Sequence, residues 1–422
     1  MNPSSARFPS AFFPLALLLP AGPGRQSAVP AGAEGAPRLV LEALDGTART
    51  LDPAGFRTTD PRGQGAWIVR PSGYPPPDAA AAPGSGPAVA IGLADGDLLR
   101  GRIAGGAAES LRLELFPGVE LAVGVDRLRS LVIEETLPET LGAPLEAPPE
   151  GDRLYRRAGG GLDRDDGAVV GFSAAGVTFE SDLLGTRLVP WGELAALFAE
   201  VLTPRSGESG ADGALKVAVD LADGGRVRGR LVELAEDGVR LEIGGSGEVR
   251  LPLARVAQVA VDDGAFAFLS DLPALREEGM GTPFADELGM RWPHRIDREA
   301  VERGLLVAGG ERHFRGIGTH APTRVTWALD PAWRTLRGLV AVDDSVLRHE
   351  ARGAVIFRIR VDGEVRWESA VRRGGDPPFA IPPLDLGAAA GVRELTLEAD
   401  PAGELDFAGD RADWLRMILV RG

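Results

Sequence analysis

Five residues in the C-terminal third of the chain have side chains suited to holding a polyhydroxylated ring: Trp292, His320, Trp333, Asp343 and Asp344. An indole offers a flat apolar face to the C–H side of such a ring, while imidazole and carboxylate groups exchange hydrogen bonds with its hydroxyls. Trp292 lies in a loop and Trp333 follows a proline at a turn, which leaves both accessible. We predict these five residues as a ligand-binding set.

Structural roles remain open for the same residues. His320 follows two glycines and is placed to anchor the start of a strand. Asp343 and Asp344 end a predicted strand, where an ion pair with an arginine is an equally good interpretation. Three further tryptophans lie within or beside predicted strands and are predicted to pack in a core: Trp327, Trp367 and Trp414.

The sequence lacks the short motifs of familiar catalytic centres. It has no Gly-x-Ser-x-Gly elbow, no Walker loop, no His-Glu-x-x-His and no deaminase signature. With no cysteine and only four histidines, thiolate chemistry is excluded and a histidine-rich metal site is disfavoured. A glycosidase would need two carboxylates facing each other across a cleft, and abundant Asp and Glu do not by themselves indicate such a pair. We predict that the chain is not an enzyme.

Composition narrows the partners and the fold class. The formal net charge of -15 disfavours nucleic acid, which is bound by clustered positive charge. The 57 glycines and 33 prolines separate short apolar stretches, a pattern typical of many strands and turns. The chain is therefore predicted to be all-β, and its 422 residues are enough for several domains.

The N-terminus predicts export. Arg7 precedes the apolar run from Ala11 to Leu19, and small residues follow as far as Ala33. This order is typical of a signal peptide, here residues 1–33, and a disordered tail is the alternative. A run of this length is too short for a membrane helix, which needs about 20 residues. We expect a secreted or periplasmic protein of the cell envelope, with no transmembrane segment once the signal is removed.

The sequence repeats when it is shifted by 128 positions. Val89-Ala-Ile-Gly-Leu-Ala-Asp-Gly-Asp-Leu-Leu-Arg-Gly-Arg-Ile103 then lies over Val217-Ala-Val-Asp-Leu-Ala-Asp-Gly-Gly-Arg-Val-Arg-Gly-Arg-Leu231. A diverged copy around 166–197 shares its ending with the third copy. Alternating strands joined by Asp-Gly turns predict three small barrels of the SH3 or Sm type, by architectural analogy. Recurring arginines such as Arg100 and Arg228 are predicted to lie on the solvated face.

These patterns divide the chain into domains. Residues 34–87 hold a poorly defined N-terminal segment and a Pro/Ala-rich linker, and the segment either adds a strand or covers a barrel face. From 284 onward, longer strands such as 324–329 and 354–361, with a turn at Asp362-Gly363, predict a two-sheet β-sandwich. The predicted parts are the β repeats 88–136, 152–202 and 214–266, a linker 267–283 and the sandwich 284–422.

The sandwich also resembles a known family, the NPCBM carbohydrate-binding modules of the glycoside hydrolase family 98 type. Five motifs in the expected order carry this resemblance: Gly316-Ile-Gly-Thr-His320, Val342-Asp-Asp344, Val355-Ile-Phe-Arg-Ile-Arg-Val-Asp-Gly363 with Glu368-Ser369, Leu395-Thr-Leu-Glu-Ala-Asp400, and Asp410-Arg-Ala-Asp-Trp414. The chain departs from the family at Arg411, where members usually have His, and at Thr323, where they usually have Ser.

The resemblance implies a galactose-binding-like jelly roll that binds a glycan or polysaccharide, often attached to secreted glycosidases. Jelly rolls of this type often hold a structural calcium, and no loop of the sequence can be assigned to it; no other cofactor is expected. The repeats would then serve as a spacer or a protein-docking platform. The alternative is a structural cell-envelope protein whose sandwich binds a protein instead of a sugar, and a glycoside hydrolase accessory or catalytic role is less favoured.

Overall fold

The computed structural model describes residues 38–72, 86–137, 145–200, 215–244, 246–279, 292–302, 304–387, 391, 393–403 and 407–422. The predicted signal peptide, residues 1–33, lies outside these ranges. The described residues form antiparallel strands joined by turns and loops, which confirms the all-β prediction. Among them, no helix is long and apolar enough to cross a membrane. Their helices are short 3-10 segments: Pro61–Gln64, Val125–Arg127, Glu134–Thr136, Leu253–Arg255, Leu269–Asp271 and Asp344–Arg348.

The chain divides into two units, and the boundary between them in the sequence lies near residue 266. The strands of the first unit are β1 (Arg38–Glu42), β2 (Ala48–Leu51), β3 (Arg57–Thr58), β4 (Ile68–Ser72), β5 (Ala88–Leu93), β6 (Leu98–Ala107), β7 (Ser110–Phe116), β8 (Val119–Gly124), β9 (Leu128–Ile133), β10 (Asp152–Ala158), β11 (Gly161–Phe172), β12 (Gly176–Ser181), β13 (Gly185–Pro190), β14 (Leu194–Phe198), β15 (Lys216–Leu221), β16 (Arg226–Ala235), β17 (Gly238–Ile243), β18 (Gly247–Pro252) and β19 (Val256–Val261).

Three groups of five strands have the same pairing: repeat 1 (β5–β9), repeat 2 (β10–β14) and repeat 3 (β15–β19). In each group the first four strands follow one another as hairpins, and the fifth returns to pair with the first. Alternate residues of most of these strands enter one core, as Val217, Val219 and Leu221 do in β15. The alternating apolar residues in the sequence therefore form the buried face of each such strand.

Repeats 1 and 3 each use an Asp-Gly turn between their first two strands. Gly96 and Gly224 have φ values of 85° and 82°, in the left-handed region that costs glycine little. In each turn the glycine N–H donates to the carbonyl of the residue that ends the first strand, Leu93 or Leu221. The predicted hairpins are formed as the residue types require.

The N-terminal segment 38–72, whose role the sequence left open, is a partial copy of the same unit. β1 pairs with β2 and with β4, as the first strand of a complete repeat pairs with its second and fifth strands. Its Asp-Gly turn has Gly46 at φ 87°, and the Gly46 N–H donates to the Ala43 carbonyl. The hairpin of third and fourth strands is replaced by the short β3 and a 3-10 turn. We call β1–β4 the partial repeat.

The repeats join in pairs through their last strands. β9 of repeat 1 pairs with β14 of repeat 2, with Leu131 opposite Leu197. β19 of repeat 3 pairs with β4 of the partial repeat, with Val259 opposite Val69. Leu131 and Val259 occupy the same place in their repeats, so one mode of pairing is used twice.

The second unit contains the strands β20 (Phe266–Phe268), β21 (Arg276–Gly279), β22 (Arg295–Ile296), β23 (Leu306–Ala308), β24 (Glu311–His313), β25 (Gly316–His320), β26 (Thr323–Leu329), β27 (Trp333–Val342), β28 (Ala354–Val361), β29 (Glu364–Glu368), β30 (Arg372–Arg373), β31 (Phe379–Asp385), β32 (Arg393–Pro401) and β33 (Arg411–Arg421). One sheet has the order β22-β25-β33-β27-β31, with β20 also on β33. The other has the order β21-β26-β32-β28-β29, with β30 also on β28.

One apolar core is built from residues of both sheets, as a sandwich requires. Trp327 and Trp414 are fully buried in it, which confirms their predicted packing. The Trp414 ring meets the Phe357 ring edge to face, with centroids 5.0 Å apart. The inner faces of the two sheets are thus held by large aromatic contacts.

The sandwich begins earlier than its predicted start at residue 284. Residues 267–283 were assigned to a linker, but β20 and β21 lie within 266–279, and β21 pairs along β26 from Arg276 to Gly279. β21 is an edge strand with mostly exposed polar side chains, so it lacks the alternation that marks a half-buried strand. The linker prediction over these residues was wrong for this reason.

Candidate functional site

Three strand ends of the first sheet meet at one rim of the sandwich. β25 ends at His320, which lies opposite Arg411 at the start of β33. β27 ends at Val342, and the N–H of the following Asp343 donates to the Arg411 carbonyl at 2.9 Å. Arg411 therefore lies between a histidine and an aspartate that are far from it in the sequence.

A glycine in β25 lets a loop lie against this rim. A Cβ on Gly318 would lie 2.2 Å from the Arg298 carbonyl oxygen and 3.0 Å from Cα of Glu299. Any larger residue would displace the segment 298–302. Gly318, part of the Gly-Ile-Gly-Thr-His motif, is therefore needed to bring Glu299 and Glu302 to the strand ends.

The Arg411 guanidinium organises the polar groups at the rim. Its Nη1 donates to Glu302 Oε1 and to Ser345 Oγ, each at 2.7 Å. Its Nη2 lies 3.4 Å from His349 Nε2, and that nitrogen lies 3.3 Å from Glu302 Oε1. Arg411 is buried, whereas the side chains of Glu302 and His349 are 37% and 50% exposed and so can meet a ligand.

Trp292 adds an aromatic surface to this group. Its ring stacks on the His320 ring with centroids 4.3 Å apart and planes 29° apart. Trp292 is partly exposed, while His320 is buried. The Nδ1 atom of His320 lies 2.9 Å from the Ala321 carbonyl oxygen. Burial, assisted by the charge of Arg411, lowers the pKa of His320 to about 4, so its ring is neutral at pH 7. We call Trp292, Glu302, His320, His349 and Arg411 the rim cluster.

Hydrogen bonds set the charge of Glu302. Burial alone would raise the pKa of this carboxyl, but hydrogen bonds from Arg411 and His349 outweigh burial and lower it. Arg348 also forms an ion pair with Glu302. The carboxylate is therefore ionised and held by two cations at neutral pH.

A layer of carboxyl groups, buried except for the half-buried Asp344, lies beneath the rim. Asp343 caps the 3-10 helix by accepting from Ser345 N, and its other oxygen accepts from Val307 N at 2.9 Å. Burial raises the pKa of Glu299 and of Asp344, whose carboxylate accepts from Gly310 N at 2.7 Å. Both predicted aspartates thus hold the backbone at this rim.

Asp413 is the most deeply buried acid of this layer. Neither of its carboxyl oxygens accepts a hydrogen bond from a described residue. Burial, together with the nearby Asp343 and Glu299, raises its pKa well above the ordinary value. The folded structure therefore favours the neutral, protonated form of Asp413.

Oxygen-rich layers of this kind are where calcium would be sought. Among the described residues, no group of three or more His, Asp or Glu side chains is arranged to hold a metal ion. The arrangement gives calcium no assigned ligands, so the calcium expectation stays a prediction.

The structure brings together four of the five residues proposed from the sequence. Trp292, His320, Asp343 and Asp344 all belong to this rim, the last two as supports for its backbone. Trp333 does not, because it begins β27 while Asp343 follows the end of that ten-residue strand, roughly 30 Å away. Its ring packs in the core with only 7% of the residue exposed, so no face is left for a ligand.

Sequence reasoning missed three members of the cluster: Glu302, His349 and Arg411. Arg411 was noted only as a departure from the family pattern. Glu302 lies 109 positions before it, and nothing local connects the two residues. The one available signal was that unusual arginine, since a buried guanidinium requires a carboxylate partner.

The geometry agrees with a comparison of the sequence with protein-family models. Residues 267–420 match the NPCBM/NEW2 domain, a range that includes β21 and all of the rim cluster. The second unit is therefore an NPCBM domain, as the sequence motifs indicated. A search of curated proteins finds no match.

A comparison with solved structures matches several CBM51 modules. One is CBM51 from the Clostridium perfringens GH95, in complex with methyl-galactose, at 18% identity and a TM-score of 0.31, covering 37% of this chain and 99% of that one. Another is the CBM51-2 and INT domains of Clostridium perfringens ZmpB, at 21% identity and a TM-score of 0.31, covering 44% of this chain and only 39% of that one. The tandem CBM51 modules of Sp3GH98, from Streptococcus pneumoniae SP3-BS71, match at 12% identity and a TM-score of 0.31, covering 50% of this chain and 72% of that one.

Proposed function

We propose that this chain is an exported, non-catalytic protein whose NPCBM domain binds a glycan at the rim cluster. The observation that supports this most strongly is the partly exposed Trp292 ring, stacked on a neutral His320 beside the Arg411–Glu302–His349 group. An aromatic face next to directional polar groups is the combination that a sugar ring requires.

Each group has a distinct role in this proposal. The Trp292 ring meets the C–H face of a sugar, and His320 holds that ring in place from behind. Glu302 and His349 exchange hydrogen bonds with the hydroxyls. Arg411, already shared between Glu302 and Ser345, positions these acceptors and does not itself bind the ligand.

A concave surface elsewhere on the sandwich is less suitable. A groove of about 240 Å³ lies on the other sheet, lined by Arg276, Arg324, Arg360 and neighbouring polar residues. It has no aromatic lining, and Arg276 is already paired with Glu278 and Glu394. The rim cluster is therefore the better candidate for sugar recognition.

The charge of Glu302 favours binding over hydrolysis at the rim cluster. A general acid must be protonated near neutral pH, which requires a raised pKa. The most exposed carboxylate of the cluster, Glu302, has a lowered pKa and is held by Arg411. A lowered pKa suits a fixed hydrogen-bond acceptor, and it supports a non-catalytic role.

The predicted signal peptide supports export to the periplasm, the cell envelope or the medium. The repeats would act as a spacer or a docking platform for envelope proteins, with the NPCBM domain engaging the glycan. A chain that carries one binding domain and a set of repeats can hold a partner near a polysaccharide without changing it.

A glycan array probed with the full-length protein tests this function, followed by titration calorimetry on each positive glycan. We expect saturable binding that Trp292→Ala weakens by more than about tenfold, which corresponds to the loss of a stacked ring. Trp367→Ala is the matched control, because Trp367 is also partly exposed and stacked, on Phe379, but lies outside the rim.

Two results would contradict the proposal: no binding to any glycan, or binding that both tryptophan variants reduce equally. Chromogenic glycosides test the non-catalytic part separately, and we expect no turnover. Turnover that disappears in Glu302→Gln would assign a hydrolytic role to the rim cluster.

A further inference from the structure

Repeats 1 and 3 contact each other through equivalent surfaces. The second strands meet where Leu98 of β6 lies opposite Arg226 of β16, and these two residues occupy the same place in their repeats. The fourth strands, β8 and β18, also lie side by side. A contact between equivalent residues of two copies is a local two-fold relation, the arrangement of most homodimers.

The hairpin tip of repeat 3 makes the closest part of this contact. Ser246, at the turn between β17 and β18, accepts from the Ala122 N–H and donates to the Ala122 carbonyl, each at 3.0 Å. The Gly244 carbonyl accepts from Arg127 Nη1 at 3.0 Å. A turn residue of one repeat is thus seated on the fourth strand of the other.

Repeat 2 has the same surface, and its residue types differ at the same two positions. The pair Val177 and Val189 corresponds to Val239 and Leu251 of repeat 3 and to Leu111 and Val123 of repeat 1. Ser246 lies five residues before Leu251 in repeat 3, and Leu184 lies five residues before Val189 in repeat 2, so these two residues are equivalent. The position of Ala122 is occupied by Leu188.

Both leucines of repeat 2 are exposed. Leu184 is 65% and Leu188 is 50% exposed, and beside them Leu183 is 89% and Val170 is 52% exposed. These four residues make up a large share of the exposed large apolar side chains among the described residues. The three leucines lie on the β12–β13 hairpin, and Val170 lies on β11, which pairs with β12. Solvated apolar groups gathered in this way indicate a surface that another molecule covers.

The order in which the repeats contact one another explains why the repeat 2 hairpin has no described repeat packed against it. The partial repeat pairs with repeat 3, repeat 3 contacts repeat 1, and repeat 1 pairs with repeat 2. The partial repeat ends the series at one side because it lacks the hairpin of third and fourth strands. Repeat 2 ends it at the other side with that hairpin complete.

We propose that the repeat 2 hairpin is a homodimer interface, in which Leu184 of one chain packs on Leu188 of a second chain in the manner of Ser246 on Ala122. Two-fold symmetry forms this contact twice. The inference concerns the repeats and does not depend on glycan binding.

The residues around the leucines favour an apolar contact. Arg228 joins repeat 3 to Asp97 of repeat 1, but the corresponding positions of repeat 2 hold Asp166 and Asp163. These aspartates form ion pairs inside their own repeat, with Arg153 and Arg156. The dimer therefore rests on the leucines, and its strength should change little with salt.

Sedimentation velocity of the full-length protein over a range of concentrations tests the interface. We expect a dimer that Leu184→Glu or Leu188→Glu weakens by more than about tenfold, since each substitution acts at both contacts. Leu275→Glu is the matched control, because Leu275 is 54% exposed and lies outside the repeats, and it should leave the dimer intact. The double variant Leu184→Glu, Leu188→Arg should restore association by pairing opposite charges across the axis.

The absence of cysteine from the chain permits a second test of geometry. Differently tagged Leu184→Cys and Leu188→Cys proteins, mixed and oxidised, should give a covalent heterodimer in preference to either covalent homodimer. A monomer at every concentration up to about 100 µM, far above the Kd of typical specific complexes, would overturn the proposal. So would a dimer that Leu184→Glu leaves unchanged.

Discussion

Two buried carboxylates in different parts of the molecule both accept hydrogen bonds from arginines, but their pKa values are shifted in opposite directions. Asp97, at the contact between repeats 1 and 3, accepts from the Arg228 backbone N–H at 2.8 Å and from Arg228 Nη1 at 2.9 Å. Glu398, on the central strand β32 of the sandwich, accepts from three guanidinium groups, those of Arg324, Arg358 and Arg360, at 2.7 to 3.0 Å. Both carboxylates are about 3% exposed.

Their pKa values move in opposite directions. Burial raises the pKa of Asp97 to about 6, although the charge of Arg228 opposes the rise. Burial would also raise the pKa of Glu398, but its three arginines outweigh burial and lower the pKa to about 2. Asp413, which faces other carboxyl groups, has a pKa raised well above the ordinary value. Guanidinium donors therefore oppose the effect of burial on the pKa of a carboxyl, and at Glu398 three of them outweigh it.

The largest loss of stability should follow from removing Glu398, the buried acid with three arginine partners. Glu398→Ala leaves Arg324, Arg358 and Arg360 without their shared partner in the middle of a sheet. We expect the sandwich to lose about 3–5 kcal/mol of unfolding free energy, the usual result of breaking a buried ion pair. Urea unfolding followed by tryptophan fluorescence measures it. A loss below about 1 kcal/mol, typical of exposed pairs, would show that the three pairs act as surface pairs.

The next effect should come from the junction between the repeats. Asp97→Ala removes both carboxylate oxygens that accept from Arg228, leaves the Asp95 carbonyl as an acceptor for Nη1, and should cost about 1–3 kcal/mol because the Arg228 backbone N–H loses its carboxylate partner. Asp95→Ala is the control, because the Asp95 side chain is 42% exposed and pairs with Arg127, and it should cost less than about 1 kcal/mol. Equal losses in the two variants would contradict the difference in burial.

The two carboxylates should give pH dependences of opposite sign. The contribution of Glu398 is present above its unfolded pKa of about 4.5 and is lost as pH falls towards about 2. The contribution of Asp97 is present below its unfolded pKa of about 3.8 and is lost as pH rises through about 6. Comparing the unfolding free energy of the wild type with Glu398→Gln and with Asp97→Asn, across pH 3 to 7, separates the two slopes. Parallel slopes would overturn the comparison.

The smallest change in stability is expected at Asp413, a buried carboxyl group without an arginine partner among the described residues. Asp413→Asn removes a group that resists ionisation in the folded state, and the new amide can donate to Asp343 or Glu299. We expect the stability of the variant relative to the wild type to increase as pH rises from 5 to 8, because the raised folded pKa makes ionisation of the buried acid costly in the wild type only. Thermal unfolding at the two pH values measures it. A variant that is less stable than the wild type at pH 8 would show that Asp413 is needed as an anion.

The repeats could be predicted because residues close together in the sequence determine each hairpin. Alternating residues and Asp-Gly turns, such as the one at Gly224, recur at a constant spacing, and each hairpin needs only its own residues. The arginines of the repeats were less well predicted. Arg228 was assigned to the solvated face, yet it donates to Asp97 of another repeat, and alternation within one strand cannot reveal a neighbour so far away in the sequence.

The candidate site was predictable only in part, because its members are distant in the sequence. His320 and the pair Asp343 and Asp344 stood out because they end strands, and Trp292 because it lies in a loop. Trp333 shared those features but faces the core at the other end of β27. Glu302 carried no local feature, and only the pairing of β25 with β33 brings it to Arg411.

The sequence by itself determined the all-β class and the repeated hairpins, since strand alternation and turn residues act over a few positions. The NPCBM domain was indicated by the resemblance of five motifs to that family, and the family model confirms it. Only the tertiary structure decided which surfaces meet, which carboxyl groups are charged and which tryptophan remains exposed. Those properties depend on burial and on partners from distant strands. Desolvation and Coulomb energies are set by distances in space, which order along the chain does not specify.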